Sequence, residues 1–212
     1  MGSYIDSLND KQLTNLKFMI KRMSEKGITN DYIQAGILAV VSKESSFIPK
    51  SERSYSGTSN DRIRKIFGSR VKDLSESQLT ALKKDPEKFF NKVYGGRYGN
   101  APDEGYKYRG RGLNQLTFKA NYEKVNKYTN VDIVAKPDKL NTIEVAADAL
   151  IGFFKREFSK SSAKLSEYNM TDINSAKSIA DAVGAAYHAN TGWGKKKEKI
   201  EQEPTGGYKK AI

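Results

Sequence analysis

The sequence predicts a mainly α protein, two helical lobes around a central cleft with little β structure. Three observations carry that expectation: apolar residues recur at helical spacing, strand-like alternation is weak everywhere, and a Gly- and Tyr-rich segment separates an N-terminal from a C-terminal group of helices. Leu13, Leu16, Ile20 and Met23 mark a first helix over about 9–26, ended by Gly27. Asn30 is placed to cap a second over roughly 31–45. A third spans 75–84, and Asp85-Pro86-Glu87 opens a fourth with Asp as N-cap and Pro at the first helical position, carrying Phe89, Phe90 and Val93. Asn141-x-x-Glu144 reads as a capping-box variant starting a helix with Ile143, Ala147, Leu150, Phe154 and Phe158. A further Ala-rich helix is expected over 176–187. The segment 94–112 holds six of the 17 glycines among Tyr94, Tyr98, Tyr106 and Tyr108, and reads as a loop or small irregular sheet. The whole chain, 1–212, is expected to be one domain, with a basic, solvated tail from Lys195.

Composition limits the chemistry. The 212 residues include 37 Lys+Arg against 25 Asp+Glu, a net charge of +12, with no Cys, one His and one Trp. Disulfides, thiolate metal sites and a Cys nucleophile are excluded, and one His cannot build a His-rich metal cluster. No metal or cofactor is expected, so acid–base work falls mainly to carboxylates. The longest purely apolar run, Ile37-Leu38-Ala39-Val40-Val41, is far short of the roughly 20 residues of a membrane span. The first residues lack the pattern of a secretory signal, so any export is expected to take another route. The positive charge predicts attraction to polyanions.

Two carboxylates stand out. At about 100° per residue, Glu44 falls within about 20° of Ile33 on the second helix, in the middle of the Ile33, Ile37, Val40 and Val41 stripe. A carboxyl continuing a buried stripe loses hydration and holds its proton, the state a general acid needs. Bending of the last turn into solvent is the competing reading. Glu52 follows in the polar stretch Lys50-Ser51-Glu52-Arg53-Ser54, where a carboxylate is expected to stay ionised. One protonated and one ionised carboxyl suit glycoside hydrolysis, although a surface Glu beside Arg53 would account for Glu52 equally well.

The run Tyr106-Lys107-Tyr108-Arg109-Gly110-Arg111-Gly112-Leu113-Asn114-Gln115-Leu116-Thr117, with Asn121 beyond it, is the most specific signal. Its glycines permit close backbone approach, and Gln115, Thr117 and Asn121 carry groups suited to sugar hydroxyls and acetamides. Phosphate-loop spacing is absent, and an RNA-binding reading of Arg109-Gly110-Arg111-Gly112 leaves Glu44 unexplained. Trp193, between Gly192 and Gly194, is a candidate for stacking on a sugar, with core packing the alternative. His188 reads as a packed or capping side chain.

These motifs resemble glycoside hydrolase family 19. Lys43-Glu44-Ser45-Ser46-Phe47, Phe89-Phe90-Asn91-Lys92-Val93-Tyr94-Gly95-Gly96-Arg97-Tyr98-Gly99-Asn100 and the Tyr108–Tyr122 run are most similar to the family's chitinase-like endolysins of phages and bacteria, in order over about 30–195. The resemblance implies a lysozyme-like fold and an inverting cut of a β-1,4 bond next to an N-acetylated sugar. It implies Glu44 as the acid, Glu52 as the second carboxylate and Thr117 as a holder of the attacking water. It further implies Gln115, Asn121 and Asn190 at substrate, with Tyr108 and Arg109 beside them.

Without cysteines or a secretory signal, the chain fits synthesis in a reducing cytoplasm, which favours peptidoglycan over chitin. It is expected to act as a monomer on the bacterial wall after release or within a phage particle, drawn there by anionic wall polymers, with no specific nucleic acid and no membrane span. A lytic transglycosylase is the alternative enzyme, because Glu44-Ser45-Ser46-Phe47-Ile48-Pro49 and Gly112-Leu113-Asn114-Gln115-Leu116 also resemble that family. An inactive wall-binding or virion module is the non-enzymatic one.

Overall fold

The structure is a computed structural model describing residues 4–160. Over these residues the chain forms α1 (Asp10–Glu25), α2 (Asp31–Ser45), α3 (Asn60–Phe67), α4 (Glu76–Leu82), α5 (Pro86–Tyr94), α6 (Lys119–Asn126) and α7 (Ile143–Lys160). Short 3-10 turns lie at Tyr4–Ser7, Gly68–Arg70 and Pro137–Asn141. The one β pairing among the described residues is an antiparallel bridge between Arg111 and Leu116. The fold is mainly α, consistent with a lysozyme-like architecture. The expected 176–187 helix, the tail from Lys195, His188, Asn190 and Trp193 lie outside the described residues.

Local capping explains most helix starts. Asn9 and Gln12 satisfy each other's backbone N–H groups at the head of α1 (2.9 and 3.0 Å), and Ser75 with Gln78 does the same for α4. The Asn30 side chain accepts from the Ile33 N–H at 3.1 Å, and Asp85 caps α5 ahead of Pro86. At α7 the expected capping residue is off by one. The Asn141 side chain donates instead to the Ser51 hydroxyl (2.9 Å), and the Ala146 N–H bonds to the Thr142 carbonyl.

The apolar residues form two clusters, and the grouping crosses the 94–112 segment. In the first, α1 and α2 pack with α6 and α7 through Leu16, Met19, Met23, Ile37, Val40, Tyr122, Leu150 and Phe154. The second joins α3, α4 and α5 through Ile63, Val71, Leu79, Phe89, Phe90 and Val93, with Tyr55, Tyr94 and Tyr106 packed against it. Ile20, expected on the inner face of α1, is exposed because that face centres on Met19. α2 is buried on nearly every side, Gln34, Gly36, Ser42 and Ser45 included, rather than along one stripe. Arg22 of α1 ties this cluster to α7 by a bidentate pair with Asp148 (2.7 and 2.8 Å), a carboxylate only 3% exposed.

Candidate active site

α2 stops abruptly just past Glu44. Ser46 and Phe47 both take left-handed backbone conformations (φ 51° and 62°), which cost non-glycine residues about 1 kcal/mol or more each. Burial of the Phe47 ring offsets that cost, as do two side chains of α1: Gln12 donates to the Ser46 carbonyl (3.1 Å) and Asn15 to the Phe47 carbonyl (2.7 Å). The reversed chain then runs beside the Gly-rich loop. The Lys50 N–H donates to the Gly112 carbonyl (3.4 Å) and the Glu52 N–H to the Gly110 carbonyl (2.7 Å).

Glu44 is partly buried at the end of α2, and among the described residues no hydrogen bond or salt bridge reaches its carboxyl. Loss of hydration pushes that carboxyl above the ordinary carboxylate range, and the charge of neighbouring Lys43 opposes the shift only in part. The direction is the one that its place in the apolar stripe predicts.

Glu52 differs from expectation. Its side chain does not lie in a solvated polar stretch but against the second cluster, and burial pushes its carboxyl up as well. Opposing that, the Gly110 N–H donates to Oε2 (3.2 Å), and the Tyr55 and Tyr94 hydroxyls donate to Oε1 (2.9 and 3.0 Å), with Arg109 adding positive charge. Neither tyrosine was singled out from the sequence. Tyr55 lies three residues after Glu52, and Tyr94 opens the Tyr-Gly-Gly-Arg run, which are the signals available there. Gly110 is needed for close approach: a Cβ there would lie 3.0 Å from Gln115 Oε1 and 3.2 Å from Glu52 Oε2.

The structure sorts the other candidates. Gln115 stands beside Glu52, yet its amide donates to the Lys50 and Gly112 carbonyls (2.9 and 3.3 Å), bracing the Glu52 segment against the loop. The Thr117 hydroxyl donates to the Gln115 carbonyl (2.8 Å), and Asn121 donates to the Thr117 carbonyl (2.8 Å), so both donors serve local backbone. Tyr108, expected at substrate, is a core residue: it is 1% exposed, packs on Tyr122 and donates to the Val134 carbonyl (3.1 Å), leaving no ring face for a sugar. Arg109 stacks over Tyr106 at 3.9 Å, and burial lowers the pKa of its guanidinium.

Arg111 belongs to the same Arg-Gly-Arg-Gly run. It is 2% exposed and pairs with Asp138 (2.8 Å), donates to the Lys107 carbonyl (2.6 Å) and bonds the Tyr122 hydroxyl. It is the buried post on which the loop is wound. An open, polar cavity of about 370 Å³ is lined by Arg70, Asp73, Asn91, Lys92, Gly95 and Gly96, with neither carboxylate in its wall. Among the described residues no group of three or more His, Asp or Glu side chains could hold a metal ion, and no helix is long and apolar enough to cross a membrane.

Two partly buried carboxyls stand out on this helical scaffold, Glu44 with no hydrogen-bond partner among the described residues and Glu52 held by three donors. No family model matches the chain. A Haemophilus influenzae protein described as a glycosyl hydrolase family 19 domain-containing protein is 29% identical to it over 167 residues, covering 74% of this chain and 73% of that protein. This similarity points to a glycoside hydrolase.

Proposed function

We propose that the chain is a peptidoglycan-cleaving glycoside hydrolase that hydrolyses β-1,4 bonds with inversion, Glu44 serving as general acid and Glu52 as the base that activates water. The observation carrying this reading is the unlike environment of the two carboxyls. Among the described residues Glu44 has no donor or cation apart from Lys43, and its raised pKa favours the protonated form that would give a proton to the glycosidic oxygen. Glu52 is buried too, but three donors and the Arg109 charge favour its ionised form. A carboxylate has about four lone-pair sites. Tyr55 and Tyr94 fill the two on Oε1, and Gly110 fills one on Oε2. Among the described residues no donor fills the remaining site, on Oε2, which in this reading accepts the proton from water.

Peptidoglycan is preferred to chitin because a wall bearing anionic polymers attracts a chain of net charge +12. In this reading the enzyme, a monomer, acts on the bacterial wall after release from the cytoplasm or as part of a phage particle. Wall binding should weaken as salt rises through physiological strength, whereas turnover of small soluble fragments should change little.

Digestion of purified peptidoglycan, with the new chain ends identified by mass spectrometry, tests the proposal. Ordinary reducing ends, lost in Glu44→Gln, support it and show which sugar carries the cut bond. Anhydromuramic ends, lighter by one water, would instead make the protein a lytic transglycosylase with Glu44 as both acid and base. No new ends at all would leave a wall-binding module.

A further inference from the structure

A line of aromatic rings leads from Glu52 to the protein surface. The Tyr94 hydroxyl bonds the Glu52 carboxyl, the Tyr94 ring meets Phe118 edge-on at 5.3 Å, and Phe118 in turn meets Tyr98 at 4.8 Å. Tyr98 ends the line and is 65% exposed, the most exposed large apolar side chain among the described residues. A single exposed aromatic is unremarkable in itself. Its mounting is what calls for a function.

Tyr98 takes a left-handed conformation (φ 44°), as does Phe118 (φ 73°), so two of the five such non-glycine residues described lie along this path. Strain of about 1–3 kcal/mol per residue persists only where the surroundings over-determine it, and it concentrates at binding sites. Here the surroundings do so. The Tyr98 carbonyl accepts from the Ala120 N–H (3.1 Å), and the Asn100 side chain accepts from the Lys119 N–H (2.8 Å), which together dock the 97–100 turn onto the start of α6. The Arg97 guanidinium, held by the Val93 carbonyl (3.1 Å), lies 5.4 Å from the Tyr98 ring centroid and 5.2 Å from that of Phe118. The turn that carries the ring is thus docked, and the ring has Phe118 and Arg97 beside it, which lowers the entropy lost on binding.

We propose that Tyr98, braced by Phe118 and Arg97, is a sugar-stacking residue that receives the apolar C–H face of a pyranose ring in the glycan bound at Glu44 and Glu52. A rigid, mostly solvent-exposed aromatic suits that partner: a sugar face is flat and weakly apolar, and the Tyr hydroxyl and the Arg97 guanidinium can reach its rim hydroxyls. The inference rests on the glycosidase reading and names a binding position within it.

The test measures affinity of the uncleaving Glu44→Gln protein for soluble glycan strands stripped of stem peptides, and for chitotetraose. Adding Tyr98→Ala should weaken binding roughly tenfold, the loss of one ring face from an aromatic contact. Tyr98→Asn tolerates the same left-handed backbone and should lose as much, which separates ring loss from turn distortion. Tyr98→Phe and Tyr98→Trp should stay within about threefold. Equal affinity for Tyr98→Ala and its parent would overturn the proposal, as would a Phe variant as weak as Ala, or a parent that binds neither glycan. The glycosidase reading fails separately, if wild type and Glu44→Gln lyse walls at the same rate.

Discussion

Three carboxyls withdrawn wholly or partly from solvent meet three different electrostatic fates. Asp148 is 3% exposed and fully compensated, with Arg22 bidentate at 2.7 and 2.8 Å and Lys26 at 3.9 Å. Glu52 is compensated by neutral donors, two tyrosine hydroxyls and one amide N–H, with Arg109 at longer range. Glu44 has almost no compensation. Burial alone therefore does not mark function. An acid paired with a cation serves the fold. One held by neutral donors keeps its charge but can give it up, and one left bare favours its proton. In the proposed reading, the gradient from Asp148 to Glu44 runs from structural to chemical use.

Removing the bare carboxyl should have the largest effect. Glu44→Gln should lower the rate of wall lysis by about 10²–10⁴-fold, the usual worth of general acid catalysis, with an unchanged circular dichroism spectrum. A variant retaining more than a tenth of the wild-type rate would remove Glu44 from the chemistry. At the other end of the gradient, Arg22→Ala strands the Asp148 charge and should cost about 3 kcal/mol of stability in denaturant unfolding. Lysis per folded molecule should stay unchanged well below the melting point. A rate loss matching that of Glu44→Gln would erase the distinction between structural and chemical carboxyls.

Tyr94→Phe probes the intermediate case. The hydroxyl it removes holds the Glu52 carboxyl down, so its loss raises that pKa, and a base that must be ionised then needs a higher pH. The acid limb of the pH–rate profile should move upward and the rate below neutrality fall about tenfold. The alkaline limb, set by the Glu44 proton, should stay in place. Movement of the alkaline limb alone would reverse the two roles.

The smallest effect is on stability. Because the folded-state pKa of Glu44 is raised, its ionised form penalises folding above that pKa, and the penalty disappears below the unfolded value. Glu44→Gln should therefore stabilise the protein at neutral pH by about 0.5–1 kcal/mol, the usual trade between activity and stability. The gain should vanish as pH falls through the ordinary carboxylate range. Thermal melts of both proteins between pH 4 and 8 check the sign.

Elements governed by near neighbours were readable in advance. The starts of α1, α2, α4 and α5 follow from side chains that bond a backbone N–H three residues on, and Phe89, Phe90 and Val93 are buried as their spacing requires. α3 and α6 were not anticipated. α6 starts without a side-chain cap, after Phe118 at φ 73°, so it carries no local start signal. Asn141 carried a valid capping signal, but Ser51, 90 positions away, captured its side chain.

What the sequence determined by itself is the mainly α character and the helix starts set by caps, because each depends on spacings of four residues or fewer. Tertiary structure alone decided which tyrosine of the Gly-rich segment sinks into the core and which one holds a carboxylate. Tyr108 and Tyr94 lie in similar local sequence, yet Tyr108 is spent on Val134 and Tyr94 on Glu52. It also made Arg111 a buried post and raised the Glu52 carboxyl by burial. The physical reason is common to all three. Desolvation and long-range hydrogen bonding depend on what the chain brings from 26 to 58 positions away, and no local pattern records that.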